Sequence, residues 1–377
     1  MANKNTISSE TIPSAVTNFS ALNPKSSSPR EAALTQSSAL SPQSSELTQS
    51  SAQSATQSSA LSPQSSELTQ SSIFIAGPKG LVGSGLIRCL KKNGYTNILA
   101  PAHSELELMD QQAVSIYFKK HNPEYVFLAA AKVGGILANS TYPADFIYQN
   151  LMIQNSIIHQ SYLHNVKRVL FLGSSCIYPK HCPQPIKEEY LMTGPLEPTN
   201  SPYAVAKIAG IEMCWSYNRQ YGTEFIPVMP TNLYGPNDNF DIETSHVLPA
   251  LIRKFREAKQ SEAESVTIWG TGKPRREFLY VDDLAAACIH LMNLPRAELS
   301  LKEKPLFNIG TGRDISIMQL AELIKEITGF QGKITRDRSK PDGTPQKLLD
   351  ISKIKNLGWQ PKTGLKQGIK SVLKCTV

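Results

Sequence analysis

Seven residues, Gly77-Pro78-Lys79-Gly80-Leu81-Val82-Gly83, follow directly on the apolar run Ile73-Phe74-Ile75-Ala76 and lead into a stretch with helical spacing, Leu86 to Lys92. Strand, glycine-rich turn and helix in that order leave few folds open. Glycine lets the backbone turn sharply and lets a pyrophosphate come close, and the helix N-terminus supplies amide hydrogens and a partial positive charge. Any tight turn can use glycine, so the motif gains its weight from the agreement of strand, spacing and helix. Gly77, Lys79, Gly80, Leu81, Val82 and Gly83 are therefore candidate contacts to a nicotinamide dinucleotide.

The pattern repeats downstream. Ile98–Ala100, Tyr125–Ala129 and Arg168–Leu172 read as buried strands. Ala113–Lys120 and Phe146–Leu163 read as helices between them. Alternating strands and helices predict a parallel sheet covered on both faces, with ligands at the carboxyl ends of the strands where their order reverses. Beyond about Pro230 the pattern loosens: helices at 246–258 and 317–328, short strands at 266–269 and 277–281. The expected fold is α/β, a Rossmann-type doubly wound parallel sheet with a smaller C-terminal α/β lobe. Residues 72–240 would mainly bind the cofactor and 241–377 the substrate.

Residues 1–71 differ in kind. They are dominated by Ser, Gln, Thr, Ala and Pro, and QSSALSPQSSELTQSS occurs twice, at 36–51 and 57–72. Two copies are too few for a solenoid, and aromatic and branched residues are too sparse to offset chain entropy. A disordered tail is expected there. No apolar run reaches the ~20 residues of a membrane span, and no charged-then-apolar N-terminal signal is present, so a cytoplasmic protein is expected. The six cysteines form no CxxC pair and match no zinc spacing, which fits free thiols in a reducing compartment and no metal site. The formal charge of +8 comes from scattered rather than clustered cations. That argues against nucleic acid and suits a small anionic substrate.

An acidic residue after the second strand would bond the ribose of NAD. Here the chain reads Ala100-Pro101-Ala102-His103-Ser104, with no carboxylate before Glu105. Its absence favours NADP, with Lys79 and His103 as candidate partners of the 2′-phosphate. Further on, Asn200-Ser201-Pro202-Tyr203 precedes Lys207. Ser201 can cap a helix that begins at Pro202, which sets Tyr203 and Lys207 four apart on one face. A neighbouring ammonium would bring the phenol toward neutral pH, as an acid or base. Lys207 could also bond the nicotinamide ribose. At the end of the strand at 168–172, Ser174 could steady a substrate carbonyl opposite Tyr203.

The glycine loop, Ser174, Tyr203 and Lys207, in this order and spacing, resemble the extended short-chain dehydrogenase/reductase family. Longer segments narrow the resemblance: 129–136 (AAAKVGGI), 141–147 (TYPADFI), 173–179 (GSSCIYP), 229–236 (MPTNLYGP) and 340–345 (KPDGTP). They are similar to the branch that inverts carbons 3 and 5 of GDP-4-keto-6-deoxy-D-mannose and then reduces carbon 4 with NADPH. By that resemblance Cys176 is the base and His246 the acid of the inversions. Tyr203 protonates the carbon 4 oxygen, Ser174 bonds it, and Lys207 holds the cofactor. The resemblance also places Leu172, Gly173, Pro230, Asn232, Leu233 and His246 along NADP(H). It places Lys254, Trp269, Arg276 and Lys347 on the GDP-sugar substrate, and it implies a homodimer through the helices Phe146–Leu163 and Tyr203–Tyr221. Taken alone, Cys176 would pass for a packing residue, His246 for a turn cap, and Arg276 and Lys347 for surface ion pairs.

The chain departs from that branch in places. Lys79, His103 and Lys254 stand where arginines are usual, so charge is kept without the guanidinium fork, or mostly lost at His103. The C-terminus stops short of the branch's usual last helix. Two rivals carry distinct signatures. A single-carbon epimerase needs no Cys176/His246 pair, and a 4,6-dehydratase needs an Asp-Glu pair where Ser175-Cys176 stands. A catalytically silent dinucleotide sensor would be expected to lose Tyr203 or Lys207, and both are present.

Overall fold

The computed structural model describes residues 69–375 apart from Glu243 and Pro341. The expected tail therefore lies outside the described residues except for its last three. Of these, Ser71 is buried, and the Thr69 carbonyl accepts from the Thr96 amide. The packed chain thus begins a little before residue 72.

Strand β1 (Ile73–Ala76) is buried at every position, as an unbroken apolar run inside a two-sided layer should be. Helix α1 (Leu81–Lys92) follows the glycine loop and begins earlier than the apolar spacing suggested, because Gly83 and Gly85 lie within it. Then come β2 (Ile98–Leu99), α2 (Gln111–His121), β3 (Tyr125–Leu128), α3 (Ile136–Thr141), α4 (Pro143–Leu163) and β4 (Arg168–Leu172). The Asp110 carboxylate caps α2 by accepting from the Gln112 and Ala113 amides. After β4 run α5 (Ser201–Tyr221), β5 (Phe225–Pro230), β6 (Asn232–Tyr234), α6 (Val247–Gln260), β7 (Ser265–Trp269), β8 (Arg275–Tyr280), α7 (Val281–Asn293) and β9 (Phe307–Ile309). The chain closes with β10 (Asp314–Ser316), α8 (Ile317–Thr328), β11 (Lys333–Asp337), β12 (Gln346–Lys347), α9 (Ser352–Asn356) and α10 (Leu365–Cys375). No helix among the described residues is long and apolar enough to cross a membrane.

Six strands form one parallel sheet in the order β2-β1-β3-β4-β5-β9. The order reverses at β1, so the crevice between the carboxyl ends of β1 and β3 is where a ligand is expected. Helices α4 and α5 pack against each other over one face. Their contact is close because Gly210 lacks a side chain: a Cβ there would collide with the Phe171 ring and lie 2.9 Å from the Gln154 side-chain oxygen Oε1. Phe171 is fully buried at that contact, worth about 2–3 kcal/mol for a side chain of its size.

A second core joins α6, α8 and α10 with β7 and β8, through residues such as Leu251, Phe255, Ile268, Phe278, Leu320 and Ile369. There β8 pairs with β10 and β12 in its first half and with β6 in its second, and β7 pairs with β11. Although α7 and β9 lie beyond residue 240, their buried residues Leu284, Ala287, Phe307 and Ile309 belong to the core of the main sheet. The chain thus crosses back between the two cores. Helix α7 and β9 escaped the sequence reading because Val281–Asn293 is apolar nearly all round and Phe307–Ile309 is too short for any period to show.

Candidate active site

The glycine loop closes on itself. Gly77 has φ +80°, open to glycine but strained for other residues, and a Cβ there would sit 2.9 Å from the Ala130 backbone. A Cβ on Gly83 would fall 2.8 Å from the Gly77 carbonyl carbon and 2.9 Å from Pro78 Cα. Gly80, by contrast, has only the Gly77 carbonyl oxygen nearby, at 3.7 Å. It is the N-cap of α1 and makes no side-chain cap bond. The loop is thus compact behind and open in front, over the amides that begin α1. That is the shape a pyrophosphate fits, and it lies at the reversal of strand order. Leu81 and Val82 form the first turn of α1, and Lys79 is exposed beside it.

His103 does not stand free. Its Nε2 lies 3.0 Å from a carboxylate oxygen of Glu107, with most of the ring in solvent. The Glu105 carboxylate, the first acid after β2, is committed to the Ala102 amide at 2.6 Å. The segment therefore presents an imidazole tied to a neighbour rather than an open cation.

The chemistry gathers where β4 ends. Leu172 and Gly173 are buried, and the Gly173 amide donates to the Val228 carbonyl at 2.8 Å. Ser174 is extended and caps the short turn Ser175–Ile177. Its Oγ accepts from the Cys176 thiol at 3.1 Å, and it also bonds the phenol of Tyr203. One hydroxyl thus joins the thiol and the phenol. Burial pushes the Cys176 thiol up, and the Lys347 ammonium, the Ser174 bond and, more weakly, the Lys207 ammonium oppose it.

Two expectations about the next helix are corrected. Ser201 is not the cap: α5 starts at Ser201 itself, with Asn200 as an N-cap that makes no side-chain bond. Lys207 does not bring Tyr203 toward neutrality. Burial, and then the Cys176 thiol, push the phenol well above its ordinary value. The Lys207 ammonium donates to the Leu172 carbonyl at 2.8 Å and lies 5.9 Å from the Tyr203 ring centre. Burial itself pushes Lys207 down to about 8. Tyr203 is therefore held as a protonated donor.

His246 is the N-cap of α6. Solvent reaches it, yet the surrounding protein and then the Lys347 ammonium hold its imidazole below the usual value. Pro230 ends β5. Asn232 and Leu233 lie in β6, and the Asn232 side-chain amide donates to the Glu277 carbonyl at 2.9 Å.

Arg276 and Lys347 are direct partners across β8 and β12. Arg276 donates to the Arg275 carbonyl at 2.8 Å, and burial lowers its guanidinium. Trp269, half exposed, ends β7. The ammonium of Lys254 lies 5.5 Å from its ring centre, and so does that of Lys340, which sequence reasoning passed over. Lys254 also donates to the Thr267 carbonyl. An aromatic face flanked by two cations suits a base or sugar face beside phosphate. Also missed was Glu277, fully buried, whose carboxylate accepts from the amides of Thr311 (2.5 Å), Gly312 (2.7 Å) and Leu349 (2.9 Å). It ties β8 to the turn after β9 and to the residues after β12. No local pattern announces a carboxylate whose partners are backbone amides far along the chain. Among the described residues no cluster of His, Cys, Asp or Glu could hold a metal ion.

Residues 73–310 match the NAD dependent epimerase/dehydratase family. A putative GDP-L-fucose synthase 2 of Arabidopsis thaliana is 57% identical over 297 residues, 79% of this chain and 89% of that one. The GDP-L-fucose synthase of Escherichia coli K12 is 52% identical over 302 residues, 79% of this chain and 94% of that one. Among solved structures, a GDP-mannoheptose C4 reductase from Campylobacter jejuni with NADP bound superposes with a TM-score of 0.76. It is 45% identical, with 82% of this chain and 98% of that one covered.

Proposed function

This chain belongs to the NAD dependent epimerase/dehydratase family, and from that premise we propose that it makes GDP-L-fucose, inverting carbons 3 and 5 of GDP-4-keto-6-deoxy-D-mannose and reducing carbon 4. The observation that carries this reading is the Ser174 hydroxyl shared by the Cys176 thiol and the Tyr203 phenol. A single carbonyl oxygen lodged there meets a hydrogen-bond donor, a base and an acid.

The ketone at carbon 4 acidifies the hydrogens on both flanking carbons. At each of the two carbons Cys176 as thiolate removes the proton and His246 as imidazolium delivers one to the opposite face, the pair exchanging protons with solvent between the two inversions. Ser174 bonds the carbon 4 oxygen while it carries enolate charge. Tyr203, held protonated, delivers its proton to that oxygen in the reduction, and Lys207 orients the reacting groups from its fixed place on the Leu172 carbonyl. A nicotinamide dinucleotide, when bound, would supply the hydride for carbon 4. Gly77, Gly80, Gly83 and the first turn of α1 hold its pyrophosphate, with Leu172, Gly173, Pro230, Asn232 and Leu233 along the rest of the crevice.

NADPH is the preferred form, on the want of a free acid after β2 and on Lys79 and His103. Trp269, Lys254 and Arg276 hold the GDP moiety. The protein is a homodimer through α4 and α5, whose outer faces leave Tyr148, Leu163, Val205 and Tyr221 exposed. Its six cysteines are free, which suits the cytoplasm. The test is to incubate the purified protein with GDP-4-keto-6-deoxy-D-mannose and NADPH, following nicotinamide absorbance and the sugar product. GDP-L-fucose formed one-for-one with cofactor oxidised is expected. No oxidation by a folded protein overturns the reading.

A further inference from the structure

The Lys347 side chain shares a narrow cavity with Cys176. Its strand is pinned on every side. The Gln346 side-chain amide donates to Asp314 at 2.6 Å, the Leu348 amide donates to Gln184 at 2.9 Å, and the Leu349 amide donates to Glu277 at 2.9 Å. Lys347 lines a cavity of about 10 Å³ together with Cys176, Tyr178, Gln184 and Glu197. That space admits about one water molecule. Among the described residues the Lys347 ammonium has no hydrogen bond and no ion pair. The nearby carboxylate of Glu197 is already paired with Lys180 at 2.9 Å. A half-buried ammonium without a partner is costly, and here it is locked beside a thiol.

Resting on the catalytic reading above, we propose that Lys347 is a positioning residue for charge: its ammonium steadies the thiolate of Cys176, the base of the inversions. A positive charge favours the anionic form of a thiol. Among the groups that oppose the effect of burial at Cys176, Lys347 comes first. The other groups facing Lys347 are Arg276, Glu197 and Cys182, and those facing Cys176 are Ser174, Lys207 and Tyr203.

The test needs no substrate. Alkylation of Cys176 by iodoacetamide, followed by peptide mass spectrometry against pH, reads its thiolate directly. In Lys347→Met the midpoint of the profile should rise by about one pH unit, so that alkylation below it is roughly tenfold slower. Lys347→Arg should recover most of the rate, and GDP affinity by calorimetry should change less than about threefold, well under the 1.4 kcal/mol of a tenfold change. Lys347→Gln is a second neutral variant should the methionine protein not fold. A superimposable alkylation profile in the neutral variants overturns the proposal. So does a loss of GDP affinity with the profile unmoved, which would make Lys347 a diphosphate ligand. Because the readout is alkylation, it decides the matter even if the fucose assignment fails its own turnover assay.

Discussion

The Cys176 thiol donates to the Ser174 hydroxyl at 3.1 Å, and the same hydroxyl bonds the Tyr203 phenol. The two halves of the proposed reaction therefore meet at one oxygen. Inversion needs the thiol, reduction needs the phenol, and each should be removable without the other.

Tyr203→Phe should lower the rate of NADPH oxidation by about 10²–10⁴-fold, the usual range for a lost general acid. It should spare most exchange of the carbon 3 and 5 hydrogens with solvent. Stopped-flow absorbance and NMR of the sugar in D₂O separate the two.

The inversions should show a broad plateau in pH rather than a sharp optimum. Cys176 must be deprotonated while His246 is protonated. Burial holds the thiol above its ordinary 9.0, and the protein and Lys347 hold the imidazole below its ordinary 6.5. Between those two limits the active pair is a constant minor fraction. Below the His246 value the rate falls as the thiolate is lost, and above the Cys176 value it falls as the imidazolium is lost. Isotope exchange measured from pH 5 to 10 tests this. In Lys347→Met both edges should move to higher pH.

Gly83→Ala should destabilise the protein by about 3 kcal/mol or more, because the added carbon meets backbone rather than a movable side chain. Gly80→Ala has room, so the fold should survive while affinity for the dinucleotide drops. Thermal melts and cofactor titration by fluorescence distinguish the two outcomes.

His103→Arg should raise the preference for NADPH over NADH by about tenfold, through a fork that pairs with a 2′-phosphate. Glu107→Gln, which frees His103 from its 3.0 Å partner, should move the preference the same way by a smaller factor. Dissociation constants for both cofactors measure it.

How much of this was visible beforehand follows from how far each signal reaches. The strand at Ile73–Ala76 and the glycine loop are local, and both appear where the apolar run and glycine spacing put them. Ser174 and Cys176 are two apart, so the turn that joins them was within reach of the residues alone. The reversal of Tyr203 was not. A Tyr–Lys spacing of four says that two side chains share a face, but not that burial outweighs the ammonium or that Lys207 donates to Leu172. Lys347 was legible only as a cation near a turn. Its place beside Cys176 depends on β12 pairing with β8 and on amides fixed by Gln184 and Glu277.

The most direct measurement gives Tyr203→Phe and Cys176→Ser, each with intact circular dichroism, the same GDP-4-keto-6-deoxy-D-mannose and NADPH in D₂O. The phenylalanine protein should place deuterium at carbons 3 and 5 with little cofactor oxidised, and the serine protein should oxidise cofactor with little deuterium incorporated. Loss of both activities together in both variants would contradict a site in which thiol and phenol do separate work on one sugar ring.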